Sequence, residues 1–556
     1  MALLRGFLLA AFLAHTQAVP ADLRPVVTLK KGTLHGEYVT VKGTKQVVEQ
    51  YLGIPFAQAP VGALRLSAPQ PPLSWEGVRD ATQQPPLCLQ NTDIIADIAK
   101  SANMNFSIPH VSEDCLYLNV YTPSDRSADE KLPVMVWIHG GGLIMGGAVL
   151  FDGSPLAAYQ NVVMIVIQYR LGILGFFSTG DEHAKGNWGF LDQIAALQWV
   201  QENIESFGGD PKSVTIFGES AGGMSVSLLM ISPLSAGLFH KAIAQSGIAN
   251  VEITSRHNSS VLAKKVGNLA GCDNNTSEHL VQCLRERTEE DFLKVIRTLT
   301  SFQQQLIPGL TVDGHFMKKP VGEIFRSKEF LKVPLLLGVT NHECGWIICK
   351  IMAPPGWEKG MDKQTVLSTV NHTFPTAAGA SKLIADEYIR DAKTPEDVRD
   401  AFTEMIGDML FIIPTLRVAI YYRDAGLPVY LYEFQHVPLS QVGKRPSFVK
   451  ADHADDIAYV FGAPFWNAHV EIVGPFSEEE AELSKNMMAY WANFARTGSP
   501  NGPDLVLWPA FGESKEYLKL NLEQTTGTKL KEQHFHFFTV TLPKKLAEIQ
   551  AASAKP

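Results

Sequence analysis

The chain has 556 residues, 46% of them hydrophobic and 19% charged, so it is long and apolar enough to bury a large core. Its formal net charge is −9 and no block of Lys or Arg stands out, which argues against nucleic acid or an anionic membrane as partner. No internal repeat or low-complexity tract divides it.

The first eighteen residues read as a signal peptide. Arg5 supplies a positive start, Gly6 to Ala14 a short apolar stretch, and Thr16-Gln-Ala18 a small-residue cleavage site. The apolar run is too short to span a bilayer, and no later segment reaches eighteen uninterrupted apolar residues. The remainder, 19–556, reads as one elaborated domain, and the C-terminal Ser553-Ala-Lys-Pro556 matches no retention signal, so secretion is expected over residence in the endoplasmic reticulum. Six cysteines suit an oxidising compartment but allow fifteen pairings. Cys272 and Cys283, in a polar turn-rich stretch, could close a small loop; Cys344 and Cys349, in the apolar Cys344-Gly-Trp-Ile-Ile-Cys349, read as buried thiols. Sequons at Asn105, Asn258, Asn274, Asn275 and Asn371 predict a glycosylated exterior, with one of the overlapping pair Asn274 and Asn275 used.

From Thr33 to Val41 the pattern alternates, as in short antiparallel strands. After residue 132 it changes. Pro133–Ile138, Val162–Ile167 and Ser213–Phe217 are continuous apolar runs, the mark of strands buried on both faces. Between Asn187 and Phe207, Phe190, Ile194, Leu197 and Ile204 share one helical face, and Gly208-Gly209 ends the helix. Val333–Val339 and Val429–Phe434 are two further core strands, while 250–330 and 355–425 are mostly helical in pattern. Strands alternating with amphipathic helices predict an α/β protein: a mostly parallel central sheet covered by helices, with large helical insertions over one end.

The strand at 213–217 runs into Gly218-Glu-Ser220-Ala-Gly222 and then an apolar helix. This is the nucleophile elbow of the α/β-hydrolase fold in its strand–turn–helix setting; glycines flank the serine because helix and strand crowd those positions. A serine hydroxyl needs a base, and a tetrahedral oxyanion needs donors. His139-Gly-Gly-Gly142, closing strand 133–138, supplies Gly141 and Gly142 as backbone donors, with Ala221 the third. Leu143, Ile144 and Met145, just after them, are candidate pocket walls. A dinucleotide loop is excluded because Met145 stands where its third glycine belongs. Chain order in this fold is serine, acid, histidine. Strand 333–339 delivers Glu343 as the acid, while strand 429–434 leaves two histidines open, His436 directly after it and His453 further on; order alone does not choose between them, and the physical reading leans to His453. No metal is implied, since neither C-x-x-C nor H-E-x-x-H occurs, and no cofactor is needed.

Phe207 through Gly222 and Glu113-Asp-Cys-Leu-Tyr-Leu-Asn-Val120 resemble the two signatures of the type-B carboxylesterase/lipase family; Tyr51–Ala57 and Asn187–Gln193 fit it too. The likeness runs from about residue 26 to 540, and Ser232–Lys241 is most similar to vertebrate carboxylesterases. The resemblance implies a serine carboxylesterase acting on small-molecule esters through Ser220, with acyl-CoA thioesterase or lipase activity on the same residues as the alternative. It implies Glu343 as acid, from the Gly-Trp pair that follows, and His453 as base, from the acidic pair and the Phe461-Gly462 downstream. It also implies disulfides Cys88–Cys115 and Cys272–Cys283, with Cys344 and Cys349 unpaired. Cys344 departs from the family's frequent Phe, a change that bears on the pocket wall. The His-x-Glu-Leu tail that retains many such enzymes is missing, and residues 88–115 hold no tryptophan, which disfavours a cholinesterase. Non-catalytic adhesion proteins of this family lack a triad member; here all three positions are filled. Oligomeric state is left open.

Overall fold

The computed structural model describes residues 24–127, 129–249, 259–273, 275–300, 309–373 and 379–553. The expected signal peptide, Asn258 and Asn274 lie outside them. Eleven strands make the central sheet: β1 (Glu37–Thr40), β2 (Val47–Pro55), β3 (Tyr117–Pro123), β4 (Leu132–Ile138), β5 (Val163–Ile167), β6 (Gly209–Glu219), β7 (Lys241–Gln245), β8 (Leu335–Thr340), β9 (Val429–Phe434), β10 (Glu516–Leu520) and β11 (Thr525–Thr528). Their spatial order is β11-β10-β9-β8-β7-β6-β4-β5-β3-β2-β1. From β10 to β5 every neighbouring pair is parallel; β3, β2, β1 and β11 join antiparallel at the two edges.

Continuous apolar runs are required because alternate residues of one strand face opposite cores. In β4, Val134, Val136 and Ile138 enter one core with helix α1 (Trp188–Asn203). Met135 and Trp137 enter the other, beneath a long C-terminal helix over Glu478–Thr497. Each such side chain contributes roughly 1.5–3 kcal/mol relative to exposure. The α1 helix ends as its sequence requires: a 3-10 turn over Ile204–Phe207, then Gly208 in the left-handed conformation.

The alternating stretch from Thr33 forms two short strands that belong to different sheets. Gly32–His35 pairs with Val26–Leu29 and with Val78–Asp80 in a separate small sheet, whereas β1 pairs with β2. Gly36 marks the break, where a side chain would meet Gln50 O at 2.3 Å.

A further apolar cluster belongs to the helical insertion itself: Cys344, Trp357, Val366, Ile384, Phe402, Met405 and Ile413, closed by Phe537 and Phe538. Within it, Pro395–Arg423 is long and apolar enough to cross a membrane. It carries a π turn at Asp408–Ile412, and most of its apolar stretch is buried in the protein.

Candidate active site

Ligands of open parallel sheets gather at the carboxyl ends of the strands, and the chemistry-bearing residues collect at those of β4, β6, β7, β8 and β9. At the end of β6, Ser220 takes φ 57° and ψ −122°, a left-handed conformation that lifts its side chain off the sheet. Helix α2 (Ala221–Ile231) begins on the next residue. The crowding expected around the elbow is severe: a Cβ on Gly218 would lie 2.5 Å from Ile138 O, on Gly222 2.0 Å from the same oxygen, and on Gly247 1.9 Å from Ser220 O.

Beyond β8, Glu343 is almost fully buried. Its Oε1 accepts Thr340 N–H and the Ser246 hydroxyl, both at 2.7 Å, and its Oε2 meets His453 Nδ1 at 2.6 Å. These bonds leave Nδ1–H as the donor and Nε2 as the free acceptor when the imidazole is neutral. Nε2 has no hydrogen-bond partner; Glu219 Oε1 lies 3.0 Å away without bond alignment, and no bond to Ser220 Oγ is formed among the described residues. Phe411, from the π turn, lies against the imidazole with ring centroids 4.5 Å apart and the planes tilted by 40°. The other histidine, His436, turns away: its Nε2 meets Glu480 Oε1 at 2.8 Å beside Tyr459.

The electrostatics favour a cationic imidazole. Burial works against it, but the carboxylates of Glu219 and Glu343 outweigh that and hold His453 well above the ordinary histidine value. Burial also raises Glu219, and His453 offsets this in part. Asp456, which accepts Tyr432 O–H at 2.6 Å and Gln245 Nε2–H at 3.0 Å, is pushed up to about 7 by burial and then by Glu219.

The glycine loop after β4 is held rigidly. Gly141 and Gly142 have φ of 100° and 62°, and Gly141 O accepts the N–H groups of Ile144 and Met145. His139 stacks on Tyr169, bonds Gly140 O through Nδ1, and is driven down to about 4 by burial, so it is a neutral structural residue. Among the described hydrogen bonds, Gly141, Gly142 and Ala221 donate none from their backbone N–H groups, as an oxyanion site requires. Of the suspected pocket walls, Leu143 packs into the main core and Met145 joins Leu87, Ile95 and Val149; Ile144 is half-buried.

Three disulfides are formed. Cys88–Cys115 and Cys272–Cys283 are those the resemblance implied. Cys344 and Cys349 are the correction: they are bonded to each other rather than free. The turn entering helix α3 (Ile347–Met352) folds back, bringing their Cα atoms to 5.3 Å with both residues fully buried. Asn105, Asn275 and Asn371 are exposed. Glu404, Asp408 and His534 converge closely enough to suggest a cation site, but the chain's own groups occupy it. Lys531 pairs with Glu404 and lies 3.6 Å from Asp408, whose other oxygen accepts His534 and Tyr388.

Sequence reasoning did not identify Glu219, Ser246 or Phe411 as neighbours of the histidine. Glu219 lay inside the elbow motif, yet nothing in a one-dimensional pattern says which way its side chain turns.

The carboxylesterase family model matches residues 23–538. The chain is 47% identical to a medium-chain fatty acyl-CoA hydrolase precursor of Anas platyrhynchos, over 93% of this chain and 92% of that one. It is 46% identical to cocaine esterase of Homo sapiens, over 95% and 93%, and 44% identical to acylcarnitine hydrolase of Mus musculus, over 99% and 97%. A parallel sheet presenting a serine elbow, together with likeness along nearly its whole length, makes this chain a member of the carboxylesterase family and a serine carboxylic ester hydrolase of the α/β-hydrolase fold.

Proposed function

We propose that the enzyme cleaves esters through an acyl-enzyme on Ser220, with His453 as general base and Glu343 as its partner. The observation that carries this reading is the 2.6 Å contact of His453 Nδ1 with Glu343. His453 Nε2 removes the Ser220 proton as the oxygen attacks the carbonyl carbon, and the resulting imidazolium is stabilised by Glu343 and Glu219. The N–H groups of Gly141, Gly142 and Ala221 hold the oxyanion. Collapse expels the alcohol, protonated by His453; water, deprotonated by the same imidazole, then releases the acid. The name of the duck relative favours thioesters of fatty acids as a second substrate class on the same residues. Turnover of p-nitrophenyl esters of increasing chain length against acyl-CoAs ranks the two.

Ser220→Ala should lower kcat by roughly a millionfold and abolish fluorophosphonate labelling. His453→Ala should be similarly inactive, and His436→Ala should keep most of its rate. Labelling that survives in Ser220→Ala, or the opposite ranking of the histidines on equally folded proteins, defeats the assignment. The secretory route is supported by the N-terminal pattern and the exposed sequons. Glycosidase-sensitive enzyme in the medium of animal cells is the expected result, and wholly intracellular, unglycosylated enzyme would refute it.

A further inference from the structure

The two turns that carry Glu343 and His453 are separated by 110 residues of chain, yet their geometry must be held to a fraction of an ångström. Something has to fasten one turn to the other. Backbone contacts between them are sparse: a single parallel bridge joins His342 and Asp452, Ala451 N–H donates to Asn341 Oδ1 at 3.1 Å, and Lys450 N–H to His342 Nδ1 at 3.2 Å.

The residue immediately before His453 does more. Asp452 is completely buried, and its two oxygens each accept a backbone N–H from the far side of the Glu343 turn, Trp346 at Oδ1 and Ile347 at Oδ2, both at 2.9 Å. Two bonds from one planar carboxylate fix orientation as well as distance. Asp452 is itself anchored, since its N–H donates to Asp455 Oδ2 at 2.8 Å, and Arg445 grips Asp455 with two bonds of 2.7 Å.

We infer that Asp452 is a positioning residue for catalysis: its carboxylate clamps the turn bearing Glu343 to the turn bearing His453 and thereby sets the hydrogen bond between them. The inference rests on the proposed roles of those two residues. Its neighbourhood is acidic, and burial with the Asp455 charge pushes Asp452 up to about 7 despite Arg445. The N–H groups of Ile347 and Trp346, like Arg445, favour the charged form, which can accept both bonds. A shift of about 1 Å in Asp452 would carry His453 with it, and a misplacement of that size costs on the order of 100-fold in rate.

The test is Asp452→Asn in the full chain. The amide keeps the shape but turns NH2 towards one of the two N–H groups, so one bond is replaced by a donor facing a donor. The expected result is kcat lower by roughly 10–100-fold per site titrated with a fluorophosphonate, with KM nearly unchanged and the low-field proton resonance of the His453–Glu343 bond weakened or lost. Wild-type kcat per titrated site, even with fewer sites or a lower Tm, would show Asp452 to be purely structural and overturn the inference. If the Asn variant is not secreted, Asp452→Ser, whose hydroxyl accepts one N–H, is read by the same three measurements. His453→Ala run alongside separates the levels: turnover there strikes the triad itself, whereas an inactive His453→Ala beside a fully active Asp452→Asn removes this inference alone.

Discussion

Gly222→Ala is the smallest change that should disable the enzyme. The added methyl would sit 2.0 Å from Ile138 O, 2.9 Å from Ile138 C and 3.0 Å from His139 C, all backbone atoms with no rotamer to yield. An ordinary C···O contact is about 3.3 Å or more, so the start of α2 and the end of β4 must separate by more than about 1 Å. Those two segments carry the donors proposed for the oxyanion, Ala221 on one and Gly141 with Gly142 on the other. Donors act within about 2.7–3.1 Å of the developing charge, so a separation of that size removes at least one. Loss of one donor costs roughly 100- to 1000-fold in kcat. Overpacking costs about 1–3 kcal/mol, which in a protein of this length lowers Tm by roughly 1–3 °C. The signature is therefore a large loss of kcat with a small loss of stability, measured on a p-nitrophenyl ester with sites counted by fluorophosphonate and Tm followed by calorimetry. A variant within about threefold of wild-type kcat would show that strand and helix separate elsewhere, and the reasoning would fail.

Glu219→Gln should move the acid limb of kcat/KM to lower pH. With His453 as the proposed base, activity should be present above its pKa and lost as pH falls through it, and removing a carboxylate that favours the imidazolium lowers that pKa; an unmoved limb would mean that Glu219 does not act on His453. Thiol titration of the unfolded, unreduced protein should find no free cysteine, and two reactive thiols would contradict the Cys344–Cys349 bond. Replacing both with serine should cost about 2 kcal/mol for so short a loop, or about 2 °C in Tm.

The parallel core and the elbow were legible because each is written locally. Uninterrupted apolar runs mark strands buried on both faces, and the two glycines around Ser220 answer a steric demand visible in a five-residue window. The contact of His453 with Glu343 was only weakly legible before the resemblance, because the loop from Phe434 to His453 has no period from which its return path could be read. Cys344 and Cys349 were misjudged for a related reason: apolar neighbours describe a buried thiol and a buried disulfide equally well. What decides is the backward fold of the turn entering α3, and part of that fold comes from Asp452, more than a hundred residues away. Partners brought in by such long-range closure leave no mark on local sequence.

The backbone at Ser220 sets chemistry against durability. At φ 57° and ψ −122° a serine is strained where a glycine would be at ease, and such conformations cost on the order of 1–3 kcal/mol. Ser220→Gly should therefore yield an inert protein that is harder to unfold than the active one.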